Sequence, residues 1–250
     1  DREWEVPHFE KMLYDNAELP RLYFLAAQAT DADRYARVAT ETVAFLEREL
    51  RHPDGGFFST LDARSRQPAG RPGSDTDDHV EGAFYAWTPD EVDVVLDEPT
   101  ASIVRSRYGI EPGGNFERGT TVPTLATSVE ELATAHDSSA ETIEETLIES
   151  RTALFEARES RPRPARDEKV LASWNGRAIS AFAAAGPVLG EAYSELAAEA
   201  LAFCRDRLYD ADERRLDRRW LDGDAAGPGY LDDYAFLARV AFDVYADTGD

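Results

Sequence analysis

The sequence is poor in the residues that most often carry chemistry. It has one cysteine, Cys204, and four histidines, at positions 8, 52, 79 and 136, in 250 residues. One cysteine excludes a disulfide within the chain and any CxxC redox or zinc motif. Flanked by apolar neighbours at helical spacing, Cys204 reads as a packed thiol. With the histidines scattered, no metal site is expected, and no cofactor. Lysine is nearly absent: Lys11 and Lys169 are the two among 27 basic residues, the rest being arginine. No apolar run approaches the ~18 residues of a membrane span. HExxH, GxSxG, P-loop and GxGxxG patterns are missing, which removes zincin, serine-hydrolase and nucleotide-binding readings. The first residues, Asp1-Arg-Glu-Trp4, carry no initiator Met and no signal-peptide pattern and read as a cut in mid-sequence.

What the chain has in excess is negative charge. Fifty acidic residues against 27 basic ones leave −23, with a pI near 4.5. That field repels phosphate backbones and anionic membranes, so neither nucleic acid nor membrane is expected as a partner. The acids are spread along most segments, a distribution that salt screens, and it points to a high-salt cytoplasm. An apolar fraction of 42% and an aromatic fraction of 10% suit a folded domain, and at this length roughly 70–75% of the unfolded surface can be buried.

Helical periodicity dominates. Tyr35, Val38, Ala39, Val43, Leu46 and Leu50 fall at steps of three and four, one stripe of a helix over 33–51. Asp31 and Asp33 precede it as cap and dipole partners. A shift of 158 residues repeats the stripe as Tyr193, Leu196, Phe203, Cys204 and Leu208. Apolar helices over about 17–29 and 174–189 precede the two copies, and 231–247 opens a third pair. Pro20 then falls in the first turn of its helix. The reading is an all-α chain of stacked helical hairpins, a partial (α/α) toroid, as one domain over 1–250. Asp54-Gly-Gly-Phe-Phe-Ser59 and Glu81-Gly-Ala-Phe-Tyr-Ala-Trp87 suit two small paired strands. Residues 62–79 read as an exposed loop and 109–128 as mostly loop. Thr88-Pro89-Asp90-Glu91 is a helix start, and Ser138 or Ser139 caps a helix over 139–158.

Three polar clusters lie at helix starts. In Val6 to Asn16, a helix would place His8, Lys11 and Asp15 on one face, an imidazole, an ammonium and a carboxylate within reach for acid–base work. In Arg166 to Gly176, Asp167 and Lys169 flank the entry to a helix that begins with Trp174 and Asn175. Trp174 is suited to stack on a sugar face, Ser173 or Asn175 to cap the helix. In Gly229 to Phe236, adjacent Asp232 and Asp233 divide into one cap and one cavity-facing acid, since neighbours on a helix point about 100° apart. Which of the two faces the cavity is left open.

The same runs carry a family resemblance. Asp1-Arg-Glu-Trp-Glu-Val-Pro-His-Phe-Glu-Lys-Met-Leu-Tyr-Asp-Asn-Ala17 resembles the hallmark run of the YyaL / spermatogenesis-associated protein 20 family. So do Gly82-Ala-Phe-Tyr-Ala-Trp-Thr-Pro-Asp-Glu91, Tyr108-Gly-Ile110, Gly114-Asn-Phe-Glu117, Asp167 to Gly176 and Leu231-Asp-Asp-Tyr-Ala-Phe-Leu237. The resemblance implies a toroid similar to N-acylglucosamine 2-epimerases and six-hairpin glycosidases, preceded in family members by a thioredoxin-like domain that this sequence lacks. It implies a central cavity lined by helix N-termini. A carbohydrate-processing or carbohydrate-binding toroid follows, with His8, Asp15 and Asp233 as catalytic candidates. Lys11, Asn16, Asp167, Lys169, Trp174, Asn175, Asp232 and Tyr234 are the substrate-binding candidates. The competing expectation is a non-catalytic helical scaffold that binds a partner or positions a thioredoxin-like domain. Open toroid ends would expose apolar stripes, so self-association is expected.

Overall fold

The computed structural model describes residues 2, 5–30 and 32–249. From the N-terminus come β1 (Lys11–Met12), α1 (Leu13–Thr30), α2 (Asp33–Leu50) and β2 (Thr60–Leu61). Next are β3 (Arg64–Arg66), β4 (His79–Glu81), α3 (Pro89–Val95), α4 (Thr100–Tyr108), α5 (Val129–Ala135) and α6 (Ala140–Glu159). The last stretch holds β5 (Arg166–Asp167), β6 (Val170–Leu171), α7 (Ala172–Leu189), α8 (Glu191–Leu208), β7 (Tyr209–Asp210), β8 (Arg215–Leu221), β9 (Asp224–Pro228) and α9 (Leu231–Thr248). No described helix is long and apolar enough to cross a membrane.

The chain divides into two compact units. One takes the residues up to Phe9 together with 62–165; the other takes 10–61 and everything from Arg166 onward.

The second unit is built from hairpins. Helices α1 and α2 pack as one pair, α7 and α8 as the next, and α9 opens a third against α7. The stripe read from the sequence is the buried one, with Ala39, Val43, Leu46 and Leu50 at 0% exposure in α2 and Cys204 at 0% in α8. Burial pushes the Cys204 thiol up to about 12, so it is an inert packed group. Helix α7 is buried on nearly every side, through Ala178, Ile179, Ala181, Phe182 and Ala185 among others, as befits a helix flanked by α1, α8 and α9. Each large side chain removed from water here contributes about 1.5–3 kcal/mol. Side-chain links set α1, α7 and α9 parallel. Tyr14 meets Trp174 and Glu18 meets Arg177, while Ser173 bonds Asp233 and, two turns on, Ser180 bonds Asp243. A layer of three parallel helices, the first two backed by returning helices, is an arc of an (α/α) toroid. Short antiparallel sheets tie the helix starts together: β1–β2–β5, with Lys11 opposite Leu61 and Thr60 opposite Asp167, and β6–β8, with β7 and β9 also on β8.

The other unit packs α3, α4, α5 and α6 around Val92, Val104, Leu132, Ile143 and Leu147. Thr88 and Glu91 form a reciprocal capping box at the start of α3 (3.3 and 3.0 Å), as the sequence signature predicts. Ser139 is the cap of α6, accepting from the Thr142 N–H at 3.1 Å.

Several local expectations are corrected. The helix of the first cluster begins at Leu13, so His8 and Lys11 lie outside it and no helical face joins them to Asp15. Pro20 stands two turns inside α1, where it withholds the N–H that the Asn16 carbonyl would otherwise accept. The two Gly-aromatic runs do not pair with each other: β3 pairs β4, and β2 lies between β1 and β5. Segment 62–79 is not simply an exposed loop, since it contains β3 and buries Ser65, Gln67 and Arg71. The proposed cap Asp31 lies outside the described residues; Asp33 occupies the first turn of α2.

Candidate functional site

The N-terminal ends of α1, α7 and α9 meet at one end of the hairpin unit, and the residues that join them come from all three clusters but for the His8 segment. A helix start leaves backbone N–H groups without partners. At α7 the Ser173 N–H is satisfied from the neighbouring helix, by Asp233 Oδ1 at 3.0 Å. Asp233 Oδ2 accepts from the Tyr230 N–H at 2.9 Å, with Arg218 Nη1 at 3.5 Å. One carboxylate at 0% exposure thus closes two helix starts. A buried charge is tolerated when it is fully hydrogen-bonded and paired. The pair Asp232–Asp233 therefore divides with Asp233 as the buried cap and Asp232 exposed, and a catalytic role for Asp233 gives way to a structural one.

Asn175 is structural for a similar reason. Its side chain is fully buried, with Oδ1 accepting from the Phe57 N–H at 2.7 Å and Nδ2 donating to the Phe57 carbonyl at 3.0 Å and the Leu171 carbonyl at 2.9 Å. The amide serves Phe57 as a neighbouring strand would, so this substrate-binding candidate is a core link. Asn16 is tied to its own junction, its Nδ2 donating to the Met12 carbonyl at 2.8 Å.

The remaining groups face outward around this junction. The rings of Tyr14 and Trp174 meet edge to face at 4.8 Å, joining the starts of α1 and α7, and Trp174 is half-buried. Lys11 lies in β1, half-buried, and Asp15 is exposed on the first turn of α1. Lys169 donates from Nζ to Asp167 Oδ2 at 2.7 Å and from its backbone N–H to Oδ1 at 3.2 Å. Burial alone would raise the Asp167 pKa, but these bonds from Lys169 outweigh it and hold the carboxyl below its ordinary value. The hydroxyl of Tyr234 accepts from the Leu216 N–H at 2.8 Å and fixes the start of β8. The Arg218 guanidinium lies 4.5 Å above the ring of Tyr230, itself 61% exposed. His8 is exposed, in an irregular segment that belongs to the other unit.

Sequence reading missed Arg218, Tyr230 and Tyr14 as members of this face. Arg218 sits on β8, whose charge-rich sequence Arg-Leu-Asp-Arg-Arg-Trp-Leu masks its pairing with β6. It also missed His52, whose ring packs against Phe58, Phe203 and Trp220. His52 Nδ1 accepts from the Asp54 N–H at 3.0 Å, and burial lowers its pKa below 6.5.

Parallel helices, the first two backed by returning ones, with a polar and aromatic face at their N-terminal ends, define a protein of the (α/α) helical-hairpin toroid class. No family model matches the chain. Spermatogenesis-associated protein 20 from Homo sapiens and from Rattus norvegicus are each 34% identical to it over 98% of its length, and an uncharacterized Caenorhabditis elegans protein is 30% identical over 99%. Over nearly its whole length the chain is thus similar to one part of the spermatogenesis-associated protein 20 proteins. It spans about a third of the length of these curated relatives, 34% of the human protein. Among solved structures, a D-mannose isomerase aligns with 96% of this chain and 71% of its own, at 13% identity and a TM-score of 0.31. A cellobiose 2-epimerase from Spirochaeta thermophila aligns with 95% and 71%, at 14% identity and a TM-score of 0.28.

Proposed function

We propose that the face at the starts of α1, α7 and α9 binds a carbohydrate and belongs to a carbohydrate-processing toroid whose reaction is unassigned. The observation that carries this reading is the linkage of three helix starts, through Tyr14–Trp174 and Ser173–Asp233, into one surface. A sugar offers an apolar C–H face and a rim of hydroxyls. Trp174 and Tyr14 match the first, and the exposed carboxylates of Asp15 and Asp232 match the second. Both lysines of the chain, Lys11 and Lys169, lie in the short strands and turn that lead into this face. In an arginine-rich protein, two compact, flexible ammonium groups suit hydroxyl recognition better than guanidinium forks do. Asp232 and Asp15 take the acid–base positions in this reading, with Asp233 holding the helices that present them. A high-salt cytoplasm is part of the same proposal, supported by the −23 net charge.

The test is saturation-transfer NMR of the chain against a panel of mono- and disaccharides, with Trp174→Ala and Asp232→Asn alongside. A sugar that binds the parent and is lost in Trp174→Ala supports the reading. No binding by any sugar, or binding indifferent to both substitutions, overturns it in favour of a scaffold. One observation favours that second reading: Asn175 and Asp233, two of the most distinctive polar residues of the clusters, are committed to backbone groups.

A further inference from the structure

The unit formed around 62–165 contains a cavity that the carbohydrate reading does not use. Its volume is about 760 Å³, and much of its wall is apolar, including Pro68, Trp87, Val95, Ala157 and Pro162. Two buried arginines complete it. Arg71, its side chain 4% exposed, donates from Nε and Nη2 to the two oxygens of Glu91 at 2.6 and 2.7 Å. It also donates to the carbonyls of Ala83 (2.9 Å) and Ala86 (2.6 Å). Arg161, 6% exposed, donates from Nη1 to the carbonyls of Phe84 (2.9 Å) and Ala86 (2.8 Å) and from Nη2 to Glu91 at 3.2 Å. Its guanidinium lies 3.8 Å above the Trp87 ring.

The charges do not balance. Two guanidinium groups share one carboxylate, and carbonyl dipoles supply the rest of the solvation. Burying an ion without a full counter-charge is unfavourable. Burial is the main cause that lowers the Arg161 pKa, to about 10; Glu91 opposes it, and Arg71 and Arg158 add to it. Arg158, the further charge that Arg161 feels, is positive and has its own partner in Glu159 at 3.8 Å, and among the described residues Asp90 at the cavity wall forms no ion pair with either arginine. Among the described residues, Arg161 commits three of its five N–H groups and Arg71 four. A positive charge with N–H groups to spare therefore stands at the wall of an apolar cavity of ligand size.

We propose that this cavity binds a small organic monoanion, a carboxylate carried on an apolar, ring-sized body. The carboxylate takes the uncommitted N–H groups and supplies the missing counter-charge; the body packs on Trp87, Val95 and the prolines. This site is independent of the helix-start face and stands or falls separately from it.

The experiment compares 2-naphthoate with its neutral isostere 2-naphthamide by saturation-transfer NMR and titration calorimetry on the intact chain. Charge-assisted hydrogen bonds make the acid bind about 10-fold more tightly than the amide, or better. Arg161→Gln abolishes that preference. Because Arg161→Gln removes a buried tie, Val94→Glu provides a second variant: Val94 lines the cavity and is 87% exposed. A carboxylate there weakens the acid several-fold and leaves the amide unchanged. Equal affinity for acid and amide, absence of binding by both at millimolar concentration, or acid binding indifferent to Val94→Glu overturns the proposal and leaves the arginine pair as a structural clasp.

Discussion

Replacing Asn175 tests whether the start of α7 is held by a side chain imitating a strand. In Asn175→Leu the volume is nearly kept and the amide is removed. The Leu171 carbonyl keeps its role at the helix cap, where it accepts the first intrahelical bond. The Phe57 N–H and carbonyl, which pair with the amide at 2.7 and 3.0 Å, are left with no partner in a site of 0% exposure. Each buried polar group left unmade costs about 1–3 kcal/mol, so the variant loses about 2–6 kcal/mol by urea denaturation. Asn175→Asp separates lost bonds from lost shape. As a carboxylate it retains the acceptor for the Phe57 N–H but faces the Phe57 and Leu171 carbonyls with negative charge. Its pKa in the fold is raised above the ordinary carboxylate value of about 3.9. The stability it supplies is then present below that value and is lost as pH rises through the higher folded pKa. Its deficit relative to the parent must shrink between pH 7 and pH 4.5. A cost below about 1 kcal/mol for Asn175→Leu, or a pH-independent deficit for Asn175→Asp, would refute the argument.

Other outcomes follow from separate features. In Gly176→Ala the new Cβ would stand 2.9 Å from the carbonyl carbon and Cβ of Phe236, pushing α7 from α9. A loss of about 1–3 kcal/mol in thermal or urea unfolding is expected, and an unchanged midpoint would contradict the close crossing. His52 has a lowered pKa in the fold, so its neutral form contributes stability above pH 6.5 that is lost as pH falls through the folded value. The parent should therefore lose more stability than His52→Phe between pH 7 and 5, and parallel curves would deny this. Leu231, Phe242 and Tyr245, at 85%, 75% and 62% exposure, form an uncovered stripe on α9. Sedimentation should show self-association that Phe242→Glu weakens, and a strictly monomeric parent would remove the expectation.

The long helices were the most legible part of the fold. The 158-residue shift read from Tyr35 and Tyr193 is the offset between α2 (33–50) and α8 (191–208), because both helices bury one stripe and expose the rest. Helices α6, α7 and α9 lie within a residue or two of their expected bounds for the same reason. Start signals worked where the cap is local, as at Thr88 and Ser139. Signals failed where the partner is distant in sequence. Nothing near Asn175 announces Phe57, and nothing near Asp233 announces Ser173, so two residues that look available for ligand are consumed by backbone 60 or more positions away. The strands are two or three residues long for the most part, too short for alternation to register. Arg71 lies in a run rich in Pro, Gly and Ser that reads as solvent-exposed, yet contacts 12 to 20 positions ahead draw it inside.

Leu61, the last residue of β2, lies opposite Arg166, the first of β5. The segment 62–165 thus leaves the hairpin unit and returns to it at adjacent residues, already fastened by backbone pairing. Lengthening the excursion at its tips adds little, since each doubling of a flexible loop costs only about 0.6 kcal/mol. Residues 62–165 can therefore drift, acquire a ligand or lose one without disturbing the register of the strands at that junction. Joining Leu61 to Arg166 by a tight turn should leave the hairpin unit's own chain path continuous, which makes the junction a natural place for grafting other modules.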